Sequence, residues 1–441
     1  MKQTILYSMM LAGAANAFAQ TAEAGSSLSV DAEVRLRYEI QDGFNDKKYG
    51  DEPTVGEGKD DFLLSRIRLG MTYKASEDIL ARVSIQDSRI FGWEFEDEDW
   101  QNGEFGMINN PQSDPLELSQ TYIQVKNLAG MTATVGRQKI AYGDRRVFGP
   151  GEWKNSGKWV WDAAKLSYKK EKHFLDLFYG YTMLHDPDEF SLNHRHGYTG
   201  AGLYGHYAHS DNGAIEPMLI LKRNDDGNTA YEELDQYYYG VRIYDQNVGG
   251  FFYDATYIVQ QGTKTNVSGT ELDVDAFGYH LDAGYTLASG DTKIKLGAGY
   301  SFASGEDSAT ADTVEKFDAV FGASDKYYGR MNMQGWSNLK DQEIFADVKM
   351  GKQIKFKAEY HRFYLADKSD SWRQYKNTGS VSEDHIGDEF DLVGSYTQNA
   401  SLQYMGGIGY FMAGEFITEN HIAANDATWV FAQVTYAFKG E

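Results

Sequence analysis

Arginine and lysine recur at every second position in several segments of this 441-residue chain. Arg35 and Arg37, then Arg66 and Arg68, then Lys74 and Arg82 keep this spacing, interleaved with Asp31, Glu33 and Glu39 on the same alternating face. Lys293, Lys295, Lys355 and Lys357 repeat it further on. Charges at period two share one face of a strand, and rings of Arg or Lys around a narrow passage favour anions. The same charges can also be ion pairs that brace a polar interior. The sequence leaves both readings open.

Two other groups carry possible chemistry. Residues 92–117 hold eight carboxylates (Glu94, Glu96, Asp97, Glu98, Asp99, Glu104, Asp114, Glu117) and no Lys or Arg. Calcium takes several carboxylate oxygens, but the spacing is not that of an EF-hand and the sixth-position Gly is missing. A solvated charge run is the simpler reading. His185, His194 and His196 share a stretch with Asp186, Asp188 and Ser191. Such a group can make a hydrolytic or metal site, yet no G-x-S-x-G elbow accompanies it. The expectation is no catalytic residue, no metal and no cofactor.

Composition narrows the class. There are 65 acidic and 42 basic residues, no Cys, and 31 Tyr within a 14% aromatic content; mean hydropathy is −0.54. Thiolate metal sites and disulfide scaffolds are excluded. An acidic chain is not expected to bind nucleic acid, and one this aromatic is not disordered. No apolar run reaches the length of about 18 residues that a membrane helix needs. At the N-terminus, Lys2, an apolar stretch near Ile5–Ala15 and Ala17-Phe18-Ala19 read as a secretory leader over residues 1–19. Residues 20–441 are then one exported unit.

The elements that would position the charges are strands. From Leu28 to Ile40, apolar even positions alternate without error with polar odd ones, which makes a strand with two unlike faces. Similar segments recur near 62–75, 78–91, 118–127, 131–140, 161–169, 173–183, 198–208, 214–223, 235–245, 250–261, 274–288, 292–303, 341–350, 353–365, 388–398, 402–414 and 427–438. That makes eighteen. Alternation is broken at 118–127, 161–169 and 198–208, so sixteen is the alternative. Short connections (Ser76-Glu77, Leu128-Ala129, Gly351-Lys352) alternate with long ones (41–61, 92–117, 141–160, 304–340). Short turns on one side and long loops on the other are the plan of an outer-membrane barrel. Tyr near the strand ends (Tyr38, Tyr73, Tyr300, Tyr436) fits aromatic girdles. The fold expected is therefore all-β: a transmembrane antiparallel up-and-down β-barrel in a Gram-negative-type outer membrane.

One segment carries a resemblance. Residues 131–168 read MTATVGRQKIAYGDRRVFGPGEWKNSGKWVWDAAKLSY. Gly136-Arg137, Tyr142-Gly143-Asp144, Arg146, Gly149, Trp153 and Asp162-Ala163-Ala164 match a run of the alginate export family of outer-membrane β-barrels, which this chain resembles. The resemblance implies a loop turned back into the barrel and an electropositive constriction for an anionic polymer. Arg137, Arg145, Arg146, Lys154 and Lys158 would then join Arg35, Arg37, Arg66, Arg68 and Arg82 along an anion path. Asp144 and Asp162 would order the loop by charge-assisted hydrogen bonds. The alternative for the motif is a folding device that selects nothing.

The function expected is a passive channel for anionic solutes or for export of an anionic polysaccharide such as alginate. A non-selective porin or a non-conducting adhesin or structural barrel is the alternative. Partners expected are outer-membrane lipid and lipopolysaccharide, the outer-membrane assembly machinery and the solute, with the protein a monomer. The stretch at 321–336, FGASDKYYGRMNMQGW, is read as a plug folded into the lumen rather than as a sugar-stacking surface.

Overall fold

The computed structural model describes residues 26–50, 58–102, 107–190, 196–224, 233–266, 268–307, 312–324, 326–373, 375, 381–420 and 426–440. The leader expected at 1–19 lies outside them, as do Ser191 and His194.

Eighteen strands form the wall: β1 (Ser27–Asp42), β2 (Lys59–Lys74), β3 (Ile79–Phe91), β4 (Asp114–Leu128), β5 (Met131–Lys139), β6 (Val160–Lys170), β7 (His173–Met183), β8 (His196–Ala208), β9 (Gly213–Asn224), β10 (Leu234–Val248), β11 (Phe251–Thr265), β12 (Glu271–Ser289), β13 (Thr292–Ala303), β14 (Leu339–Met350), β15 (Ile354–Tyr364), β16 (His385–Thr397), β17 (Leu402–Ala413) and β18 (Ala427–Gly440). Each pairs antiparallel with the next. β1 closes the ring on β18, with Val34 opposite Tyr436. Closure leaves no unpaired edge, which is what a strand-built wall in lipid requires. All the strands expected from alternation are present, including the three with broken patterns. The turn between β11 and β12 is shorter than expected, because both strands run on to leave only 266–270 between them.

Alternation assigns the faces. Leu36, Tyr38 and Ile40 are about 40% exposed, while Arg35, Arg37 and Glu39 between them are 6% or less. The apolar face points out and the charged face in, the reverse of a soluble domain, and the outward band suits hydrocarbon. Ile344, mid-strand in β14, is 60% exposed. Ile344→Arg is expected to cost about 2–4 kcal/mol of folding free energy in vesicles, the depth-dependent penalty at the midplane, read from denaturant unfolding. A cost near zero would mean that β14 faces the lumen with the opposite parity.

The interior holds a second layer. Phe44 and Tyr49 of the 43–58 loop, Phe148 of 140–159, Phe321, Tyr328 and Trp336 of 304–338, and Trp372 of 365–384 are all 5% exposed or less and form one apolar cluster. Rings meet at 5.4 Å for Phe148 and Phe321 and at 4.6 Å for Trp161 and Phe321. Such pairs each add about 0.5–1.5 kcal/mol beyond area burial. The 321–336 stretch is thus folded into the barrel, as the plug reading expected. No helix among the described residues is long and apolar enough to cross a membrane.

Candidate functional site

The site is the lumen and the loops that narrow it. The loop from β5 to β6 enters the barrel because its backbone is bent and tethered. Gly136, near the end of β5, has φ +122°, and a Cβ there would lie 2.3 Å from the Thr121 carbonyl, so no other residue fits that position. Tyr142 stacks on Tyr204 at 4.3 Å and donates to Asp176 at 2.9 Å. Asn155, fully buried, is the strongest anchor. Its Nδ2 donates to the Ser65, Arg89 and Gln112 carbonyls at 3.0–3.1 Å, and its Oδ1 accepts from Arg35 at 3.0 Å. Carbonyls of β2, β3 and the segment leading into β4 are thus met by one side chain.

Most of the expected path cations hold this loop. Arg35 donates to the Glu152 carbonyl at 2.9 Å. Arg37 donates to the Trp153 carbonyl at 2.8 Å, stacks 3.9 Å over the Trp153 ring and pairs with Glu39 at 2.6 Å. Arg66 and Arg68 share the Glu152 carboxylate at 3.3 and 2.9 Å, and Lys139 joins them. Arg82 makes a bidentate pair with Asp31, lower on the wall. Arg137 makes another with Asp162 at 2.8 and 2.9 Å, and Lys154 pairs with Asp46 at 2.6 Å. Lys158 lies over Trp159. Arg145 is exposed at φ +73° and makes no ion pair with a described residue. Burial alone would raise the Glu152 carboxyl, but Lys139, Arg68 and Arg66 outweigh it and hold it well below the usual carboxylate range.

Arg146 lies inside the barrel among the infolded loops, buried at 4% exposure. Its Nε lies 3.2 Å from Asp144, its Nη2 3.0 Å from His280 Nε2, and its guanidinium 4.6 and 5.2 Å from the Tyr327 and Tyr328 rings. The Tyr327 hydroxyl donates to the Asp144 carbonyl. Burial pushes the Tyr328 hydroxyl up, and it pushes the Asp144 carboxyl up too, where Arg146 and Arg242 outweigh it and hold it below the usual range. Two cavities, of about 720 and 340 Å³, open on the long-loop side and share Lys158, Trp159, Ala323 and Ser324. A third, of about 430 Å³, lies on the short-turn side. Tyr328 lines the first and Tyr327 the third, so this tyrosine pair with Arg146 separates the two halves of the lumen.

The third cavity carries Lys326, Lys349 and Lys355, none in an ion pair with a described residue, while of its carboxylates Asp144, Asp254, Asp282 and Glu343 are paired and Asp347 has no such pair among the described residues. Register puts Lys349 opposite both Lys293 and Lys355, so three exposed lysines stand side by side on β13, β14 and β15 at the short-turn mouth.

The histidine group is split up. Nδ1 of His185 lies 2.9 Å from Asp114 and 3.1 Å from Glu117, whereas Nε2 of His196 lies 3.1 Å from Asp162. Burial would lower His185, but Glu117 and Asp114 outweigh it and hold its pKa up to about 10. In the acidic 92–117 stretch, Trp93 stacks on Trp100 at 5.3 Å and Lys47 caps Trp100 at 4.5 Å. Asn155 and Glu152, central to the tethering, escaped the sequence reading. Glu152 had one signal, being one of only two carboxylates among six cations between Arg137 and Lys158.

A closed eighteen-strand barrel with an outward apolar belt and a lumen narrowed by infolded loops is an outer-membrane channel of the Gram-negative type. Solved structures of similar architecture agree. The crystal structure of Acinetobacter baumannii OccAB1 aligns over 93% of this chain and 97% of its own, with a TM-score of 0.61 and 12% identity. Pseudomonas aeruginosa OccK9 (OpdG) aligns over 94% and 99%, at 0.60 and 13%. Pseudomonas aeruginosa OpdK, solved with vanillate, aligns over 94% and 99%, at 0.57 and 11%. At such identities the likeness is one of fold. No curated protein matches the sequence. The alginate export family model matches residues 26–431, and the chain belongs to that family.

Proposed function

We propose that this protein is a passive channel selective for anions, and that its cargo is a carboxylate-bearing solute or polysaccharide of the uronate type. The observation that carries the reading is the charge along the turn-side cavity: Lys326, Lys349 and Lys355 make no ion pair with a described residue, and of the cavity's carboxylates Asp347 alone shares that state. Fixed cations without counter-charges raise the local anion concentration in a confined passage. Family membership and the solution of a similar barrel, OpdK, with vanillate fit this reading. The reading includes a monomer in contact with lipid and lipopolysaccharide through its outward belt, inserted by the outer-membrane assembly machinery, and no enzymatic activity.

The experiment is a planar-bilayer reversal potential in a KCl gradient, on wild type and on the triple variant Lys293→Gln, Lys349→Gln, Lys355→Gln. These side chains are exposed and make no ion pair with a described residue, so the barrel is expected to fold unchanged. Wild type is expected to prefer chloride, and the variant to lose most of that preference at similar conductance. A folded wild type that is cation-selective or indifferent to ion sign would instead leave a general porin built on the family's scaffold.

A further inference from the structure

On the wall made by β14, β15 and β16, five carboxylates surround one histidine. Register sets His361 between Glu343 and Glu389, and Glu359 next to Asp391, while Asp341 stands one step toward the loop side. His361, Glu389 and Asp391 are 0% exposed, Asp341 and Glu359 1%, and Glu343 8%. Two cations answer them. Arg330 lies 2.6 Å from Glu359, and Lys357 bonds Glu359 and lies 3.6 Å from Glu343. Carboxylates therefore outnumber the cations in a place where water is scarce, an arrangement that costs free energy unless protons or a further cation neutralise them.

The imidazole gives a second and independent sign. Nδ1 of His361 lies 3.0 and 3.2 Å from the two Asp341 oxygens and donates to them. In the neutral ring that leaves Nε2 with its lone pair, and Nε2 is buried without a hydrogen-bond partner. One ligating atom each from His361, Glu343 and Glu359 lie within 4.8 Å of one another. Oε2 of Glu389 and Oδ1 of Asp391, beside them, are also buried without a donor. A carboxylate that holds the far nitrogen of a histidine, fixing its tautomer and aiming the near one, is the recurring outer shell of metal-bound histidine. The oxygens of Glu359 that accept from Arg330 and Lys357 each retain a second lone pair.

We propose that His361 Nε2, Glu343 and Glu359 bind one first-row divalent cation, of the zinc or manganese class, with Asp341 as the positioning residue. A nitrogen donor with two carboxylates suits those ions better than calcium or magnesium, which take oxygen alone. Glu343 and Arg330 line the 430 Å³ cavity, which gives the ion a way in. The site adjoins the seat of the plug. The Arg330 and Met331 N–H groups donate to Asp391 and Glu389, each at 2.9 Å, so the ion would stiffen the wall on which the 304–338 loop rests. The other candidate, His185 with Asp114 and Glu117, differs in that Nδ1 itself faces both carboxylates and closes the group as a charge-assisted pair.

The test is calorimetric titration of the whole protein, purified in detergent and stripped with EDTA, with Zn²⁺. One Zn²⁺ per chain is expected. His361→Ala is expected to abolish it, the isosteric Glu343→Gln and Asp341→Asn each to weaken it by at least about tenfold, and His185→Ala to bind as wild type. Slower migration of the boiled than the unboiled sample on a gel verifies that each variant is folded, and Glu343→Gln carries the test if His361→Ala is not. Folded wild type that binds no Zn²⁺ overturns the proposal. So does a bound equivalent that survives Glu343→Gln and His361→Ala unchanged, or one lost with His185→Ala.

Discussion

Removing residues 306–336 and bridging the gap with a short glycine linker is expected to raise the single-channel conductance several-fold and to abolish discrimination between ions. The splice is geometrically open, because the Asn338 N–H already donates to the Ser304 carbonyl at 3.1 Å, so the two ends of the loop meet. The ring stays closed without the loop, since β13 pairs directly with β14 over the full length of both; the loop adds a short parallel pairing of Thr313 and Val314 on Asp273 and Val274 of β12 and the Arg330–Glu359 ion pair. What is lost is Phe321, Tyr328 and Trp336 from the lumen cluster and the Tyr327–Arg146 contact that divides the cavities. Eighteen strands otherwise enclose a water-filled path of porin size. A spliced, folded barrel that conducts as wild type does would mean that the current runs elsewhere than past Tyr327.

The second large effect concerns Glu152. Glu152→Gln is expected to destabilise the folded barrel by about 2 kcal/mol and to make the current noisy, as the 140–159 loop loses its tether. Breaking a buried ion pair costs about 3–5 kcal/mol; Glu152 is one-third exposed, and solvent screening reduces the figure. Three cations, Arg66, Arg68 and Lys139, lose their shared partner at once. The pH dependence has a definite sign. The folded carboxyl titrates below its unfolded value, near 4.3, so its contribution is fully present above that pH and is lost as the pH falls through the depressed folded value. Denaturant unfolding of wild type and variant at pH 7 and at pH 3 measures it. The difference between the two is expected to shrink at the lower pH, and an equal difference at both would show that Glu152 is not the tether.

The wall was legible in the sequence and the interior largely was not, for a physical reason. A strand between lipid and lumen must alternate, and alternation is local: Leu28 to Ile40 declare both faces without reference to any other strand. Even β4, β6 and β8, whose patterns are broken, were found by spacing. The role of each inward charge is not local. Arg35 is tied to a carbonyl 117 residues away and Arg37 to one 116 away, and nothing in the alternation of β1 says that a loop will come to meet them. The resemblance supplied that loop, and with it Arg146, but not the Tyr327 ring that lies against it. It did not supply Asn155, whose value lies in three backbone carbonyls drawn from three separate segments. The plug residues at 321–336 were legible because so many aromatic side chains in a polar loop need somewhere dry to go.

The folded protein is expected to pass ions, and anions first, through a lumen that its own loops restrict. Single-channel recording of wild type across a KCl gradient, with uronate oligomers added on each side in turn, measures this. A small, chloride-preferring conductance that the oligomers block is expected. Correctly folded protein that opens no conductance at all would contradict it, and would leave a barrel whose work is done by its loops at the cell surface.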